Sequence, residues 1–145
     1  MAFYGGATER CRWVLVIGKI TDADVERFVE HVRGIGEGGP GTVVLELAHR
    51  ISMPAPLQRQ RITDAVRALP NKHFIGGHAI ATNSTAARGV LTAVNWFVER
   101  SFPEKVFGDP ASAAAWLAER NPAVDAGALL ETIAREAPPF ASLRW

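Results

Sequence analysis

Apolar and polar positions along this chain switch repeatedly between two rhythms. Short unbroken apolar runs alternate with longer segments in which apolar residues recur every three or four positions. "WVLVIG" (Trp13 to Gly18) is apolar, rich in β-branched residues and closed by glycine, which predicts a buried strand. A helix follows: Thr21 can cap it, Asp22 and Asp24 suit its first turn, and Val25, Phe28, Val29 and Val32 make one stripe. Gly34 or Gly36 ends it. After the turn "GGPG", the run "TVVLEL" (Thr42 to Leu47) predicts a second buried strand, and "AHRISMPAP" a loop. Leu57, Ile62, Ala65, Val66 and Leu69 fall at helical spacing, and Pro70 with Asn71 stops that helix.

A third strand spans His73 to Thr82, with Gly76 and Gly77 marking a bulge or a close backbone approach. A helix then runs from Ser84 to about Glu99. Lys105 to Phe107 is a short strand, followed by a helix with Asp109 at its cap and Pro110 in its first turn. Leu129, Leu130 and Ile133 share one side of a last helix, Val124 to Glu136. The apolar "AFY" near the start adds an edge strand. Alternation of this kind predicts a mostly parallel sheet of four to five strands with crossover helices and an added C-terminal helix.

Bulk properties narrow the reading. A chain of 145 residues is most simply one domain, 48% hydrophobic and 21% charged. The net charge of +1 and scattered basic residues give no field that draws nucleic acid or a membrane surface. The longest apolar runs fall far below the ~20 residues a bilayer requires. The N-terminal stretch lacks the apolar core of a leader, and one cysteine, Cys11, allows no internal disulfide. A reducing cytoplasm is the expected location. Cys11 stands between Arg10 and Arg12, which favours a thiolate, against a plain reading as an incidental strand-edge residue. "NST" at Asn83 matches a glycosylation pattern that a cytoplasmic protein would not use.

Catalytic signatures are missing. The histidines, His31, His49, His73 and His78, form no metal-ligand motif and read as surface or hydrogen-bonded structural residues. "GKI" after the first strand lacks the rest of a P-loop, and "GEGGPG" leaves a helix and enters a strand, the reverse of a phosphate cradle. No metal, cofactor or catalytic set is expected.

Two features point to binding. Asn83, Ser84, Thr85 and Arg88 lie where a strand turns into a helix N-terminus, which attracts anions. The plainer alternative is a helix cap of about 1 kcal/mol. Arg88 is unfavourable to the helix dipole there, which suits an anionic partner. On the same helix Trp96 and Phe97 carry apolar surface beyond the stripe that packing on a sheet requires. They are candidate protein-interface residues, with internal packing as the alternative.

The phrases "TVVLELAHR", "IATNSTAARGV" and "KVFGDPASAAAWL" together resemble bacterial SpoIIAA-like proteins of the STAS/SEC14-type fold. The likeness covers about residues 13 to 120, and residues 121 to 145 form a helical extension beyond it. It implies a small α/β domain, usually non-catalytic, that binds a partner protein, with a homodimer as one form. Lipid-binding relatives of the fold imply the alternative, a small apolar or anionic ligand, in a pocket near Gly76, Gly77 and the Asn83 turn. In the anti-sigma antagonist branch a phosphorylated serine follows an aspartate where the helix after the central strand begins. Here that place is occupied by Pro54 and Ala55. Ser52 is separated from the helix by Met53 and Pro54, so no serine phospho-switch is expected.

Overall fold

In the computed structural model, which describes residues 2–70, 75–89 and 102–145, the apolar runs line up as one sheet. Its strands are β1 (Ala2–Ala7), β2 (Cys11–Ile17), β3 (Val43–His49), β4 (Gly77–Thr82) and β5 (Glu104–Phe107), side by side in chain order. The pair β1–β2 is an antiparallel hairpin and every other pair is parallel. "AFY" is therefore an edge strand, and the third predicted strand is shorter than expected, starting at Gly77.

The helices are α1 (Asp22–Ile35), α2 (Pro56–Arg67), α3 (Pro110–Arg120) and α4 (Ala126–Glu136), and a 3-10 turn (Pro138–Ser142) leads into the tail. Residues 85–89 are also helical. Thr21 caps α1 through the Asp24 N–H, and the Asp24 carboxylate accepts in return from Thr21 N–H and Oγ1. Asp109 caps α3 by accepting from Ser112 N–H, with Pro110 in the first turn. No helix among the described residues is long and apolar enough to cross a membrane.

The sheet has two unlike faces. Alternation along each strand sends Cys11, Trp13, Leu15, Val43, Leu45, Leu47, Ala79 and Ala81 to one side. There they pack with Leu117 of α3 and with Leu129 and Ile133 of α4. Val124 and Ala137 belong to the same cluster, and the partly buried Phe140, Leu143 and Trp145 of the tail pack against it. Burial pushes the Cys11 thiol up to about 12, against a weaker opposing hydrogen bond from the backbone at Leu45. Cys11 is thus an inert core residue, and the thiolate favoured by Arg10 and Arg12 does not form.

The paired glycines are a close approach and not a pocket. A Cβ at Gly76 would stand 2.8 Å from the Gly41 carbonyl oxygen, and one at Gly77 would press on Arg120 and Trp116. The open space lies on the face beneath α1 and α2, and its lining includes Ile75 and His78, on either side of the glycines, and Ala87 in the segment after Asn83.

Candidate functional site

The second face begins as an apolar surface: Val14 and Val16 on β2, Val44 on β3 and Ile80 on β4. Three ionisable residues interrupt it. The register aligns Arg12, Val44, His78 and Glu104 in one row across β2 to β5. Glu46 lies two residues beyond Val44 on the same side of β3, diagonal to His78. Strand alternation alone places these side chains on one face.

His78 sits between two carboxylates. Its Nδ1 is 2.9 Å from Glu104 Oε2, in hydrogen-bond geometry. Its Nε2 is 3.1 Å from Glu46 Oε1, an ion-pair contact whose angle falls short of a hydrogen bond. The side chains of His78 and Glu46 are 12% and 17% exposed, so these charges are held largely out of water. Burial works against the charged imidazolium, but the Glu46 charge beside it and the hydrogen bond to Glu104 outweigh it and raise His78 to about 10. For Glu46 burial pushes upward and His78 wins, holding the carboxyl below its usual range. At neutral pH His78 is therefore an imidazolium and Glu46 a carboxylate, the two in ion-pair contact.

Two further ionisable groups lie beneath α1. His31 on α1 is buried, stacks at a tilt on Phe28 and has no hydrogen-bond partner for Nε2 among the described residues. Burial depresses His31 to about 4; Glu46 opposes that shift, and Arg12 and His78 add to it. Arg12 crosses beneath α1 where Gly34 leaves room: a Cβ there would overlap the guanidinium.

The space between this face and the helices is a cavity of about 150 Å³. Val25, Phe28 and Val32 of α1 and Ile62 of α2 face it, and Glu46, His78 and Glu104 form a polar corner of its lining. The Phe102 ring meets His78 edge-on at 6.0 Å between centroids.

The trio is poorly suited to general-base work near neutrality, because both ring nitrogens face carboxylates and the imidazole is held protonated. Among the described residues no three His, Cys, Asp or Glu are placed to hold a metal.

The residues singled out at the strand-to-helix turn divide. Ser84 is the cap: its Oγ accepts from Ala87 N–H and donates to the Ile51 carbonyl at 2.8 Å. Asn83 is not a cap but a tie between segments. Its Oδ1 accepts from Arg50 N–H at 2.9 Å, and its Nδ2 donates to the Arg144 carbonyl at 3.3 Å. Ser84 N–H donates to Thr82 Oγ1, so this N–H and that of Ala87 are already satisfied and do not face an anion. Thr85 and Arg88 are exposed, and Arg88 already has an interaction within the chain. Trp96 and Phe97, the candidate interface residues, lie outside the described residues, as does His73.

The hydrogen-bonded structural role read for His78 is what it has here, but no local motif marks its partners because they are on other strands. The available signal was Glu46. A charge inside "TVVLEL", on a central parallel strand, requires a buried partner.

No protein-family model and no curated protein matches the chain. Among solved structures it is similar to an uncharacterised protein of the DUF3478 family from Shewanella loihica PV-4, which has a SpoIIAA-like fold. The TM-score is 0.54 at 20% identity, over 80% of this chain and 92% of that one. The SpoIIAA-like fold expected from the sequence is thus shown, as a mixed α/β domain with a five-stranded sheet.

Proposed function

We propose that this chain is a STAS-type module of SpoIIAA-like fold that works by binding another protein and not by catalysis. The observation that carries the reading is the loop after β3. Met53 is 52% exposed and Leu57, in the first turn of α2, is 84% exposed. Two large apolar side chains a few residues apart beside a helix start form a contact surface of the kind aromatic and aliphatic anchors use. The reading needs no serine switch. The N-terminus of α2 opens on Pro56, which has no N–H, and the Ala55 N–H is taken by Gln58 Oε1 at 2.9 Å. A phosphate on Ser52 would therefore gain little from that helix end.

The test compares wild type with Leu57→Asp. Light scattering over a concentration series reads a second copy, and crosslinking in the native cells reads a different partner. Association that Leu57→Asp weakens at least tenfold, with unchanged circular dichroism, supports the reading. A wild type that is monomeric throughout and crosslinks no differently from Leu57→Asp overturns it.

A second reading, a small-molecule binding protein, is favoured by one specific observation: the cavity of about 150 Å³ beneath α1 and α2. It differs from the apolar-or-anionic expectation in one respect. The polar corner of the cavity offers the carboxylate of Glu46, and neither lysine nor arginine is among the described lining residues.

A further inference from the structure

We propose that the cavity over the sheet binds a small apolar molecule carrying a hydrogen-bond donor, an alcohol or an amine, with the donor presented to Glu46 beside His78. This inference rests on the small-molecule reading and adds the chemistry of the ligand.

Size sets the first limit. A cavity of about 150 Å³ matches the volume that accepts benzene in an engineered protein core, so a ligand of one ring and a short substituent fits. The lining sets the second. Its wall is aliphatic and aromatic, including Val16, Val32, Ile80 and Phe102, and hydrocarbon bound there leaves water.

Charge sets the third. The ionisable groups in the lining are Glu46, Glu104, His78 and Asp24, and neither lysine nor arginine is among the described lining residues. Asp24 is turned to Thr21 in the α1 cap. Arg12 and His31 border the neighbouring groove between β1 and α1. An anionic ligand would bring a charge of the same sign as the Glu46 carboxylate into a poorly solvated space, which is unfavourable.

Glu46 is the acceptor with capacity to spare. Among the described residues His78 is its one polar contact, and that contact lacks hydrogen-bond geometry. A ligand hydroxyl or ammonium can donate to this carboxylate, and a hydroxyl oxygen can also accept from the poorly paired His78 Nε2–H. Both defects in the pairing of the trio are repaired by one donor-bearing group, which an apolar ligand without it cannot do.

Nuclear magnetic resonance titration of the whole chain at pH 7.5 tests this with four matched probes: benzyl alcohol, benzylamine, toluene and benzoate. Benzyl alcohol and benzylamine are expected to saturate, shifting amides around Val44, Glu46 and His78, at least tenfold more tightly than toluene or benzoate. Glu46→Gln keeps an acceptor but removes the charge, so it weakens benzylamine about tenfold and leaves benzyl alcohol within threefold. Val32→Phe fills the cavity and abolishes both. Should either variant fail to fold, the wild-type ranking and shift map decide alone. Toluene or benzoate binding as tightly as benzyl alcohol overturns the inference and leaves the small-molecule reading standing. Shifts confined to another region overturn it in the same way. No binding by any probe overturns both.

Discussion

Replacing His78 with leucine removes the imidazolium that contacts Glu46 and Glu104 while keeping the volume of the side chain nearly the same. Glu46 and Glu104 are each bonded or paired to His78 at 3.1 and 2.9 Å. Breaking a buried pair by deleting one partner typically costs about 3–5 kcal/mol, because the remaining charge is left without compensation. The same logic gives a rescue. Glu46→Gln in the His78→Leu background removes the Glu46 charge that has lost its imidazolium and should restore about 1–3 kcal/mol, the usual penalty of an unsatisfied buried polar group. Urea unfolding at pH 6.5 measures both. With a slope of roughly 2 kcal/mol per molar, a loss of about 4 kcal/mol lowers the midpoint by about 2 M, and the double variant recovers part of it. A loss under about 1 kcal/mol for His78→Leu, or a double variant no more stable than the single, would refute the account of the trio as a mutually dependent unit.

Four further outcomes follow from the same interior. His78 is raised to about 10 in the folded chain, so its stabilising effect is complete below about pH 6.5 and is lost as pH climbs toward 10; His78→Leu should lack this alkaline slope in denaturant titrations. His31 behaves oppositely: its folded value is lowered to about 4, so stability is complete above about pH 6.5 and falls on acidification. His31→Leu should remove that part of the acid limb. Cys11, buried with its thiol near 12, should resist a thiol reagent at pH 8 and react only as fast as the chain unfolds; rapid labelling of native protein would contradict its place in the core. Gly76→Ala should cost about 2 kcal/mol by forcing apart two backbone segments, while Gly108→Ala, whose Cβ would meet nothing within 4 Å, should leave the thermal midpoint unchanged.

Most of the secondary structure could be read from the sequence because it is set by local chemistry. Thr21 and Asp109 cap helices where the pattern places caps, and Pro110 opens α3. The unbroken apolar runs correctly mark β2 and β3 as strands covered on both faces. What failed to show locally depends on contacts between distant segments. Asn83 looks like a cap in sequence, but its side chain is claimed by Arg50 and Arg144, 33 and 61 residues away. Gly76 and Gly77 do mark a close approach, but which surface approaches is decided by Gly41 and Arg120. The charged trio was the least legible. Each member sits on a different strand, and only the parallel register brings them together.

That register also explains why the two faces of the sheet take different parts. The face beneath α3 and α4 is closed by fully buried Trp13, Leu15, Leu117 and Ile133, and the tail seals its edge where His49 Nε2 meets the Arg144 carbonyl at 2.7 Å. Close packing of this kind supplies stability and resists change. The face beneath α1 and α2 holds instead a cavity and the trio Glu46, His78 and Glu104, in which the His78 Nε2 contact to Glu46 lacks hydrogen-bond geometry. If that trio were only a stabilising device, apolar residues of similar volume would serve as well or better. Its presence beside open space, on the same side as the exposed Leu57 at the start of α2, makes this layer the part of the molecule where binding is expected, with the opposite layer as its rigid support.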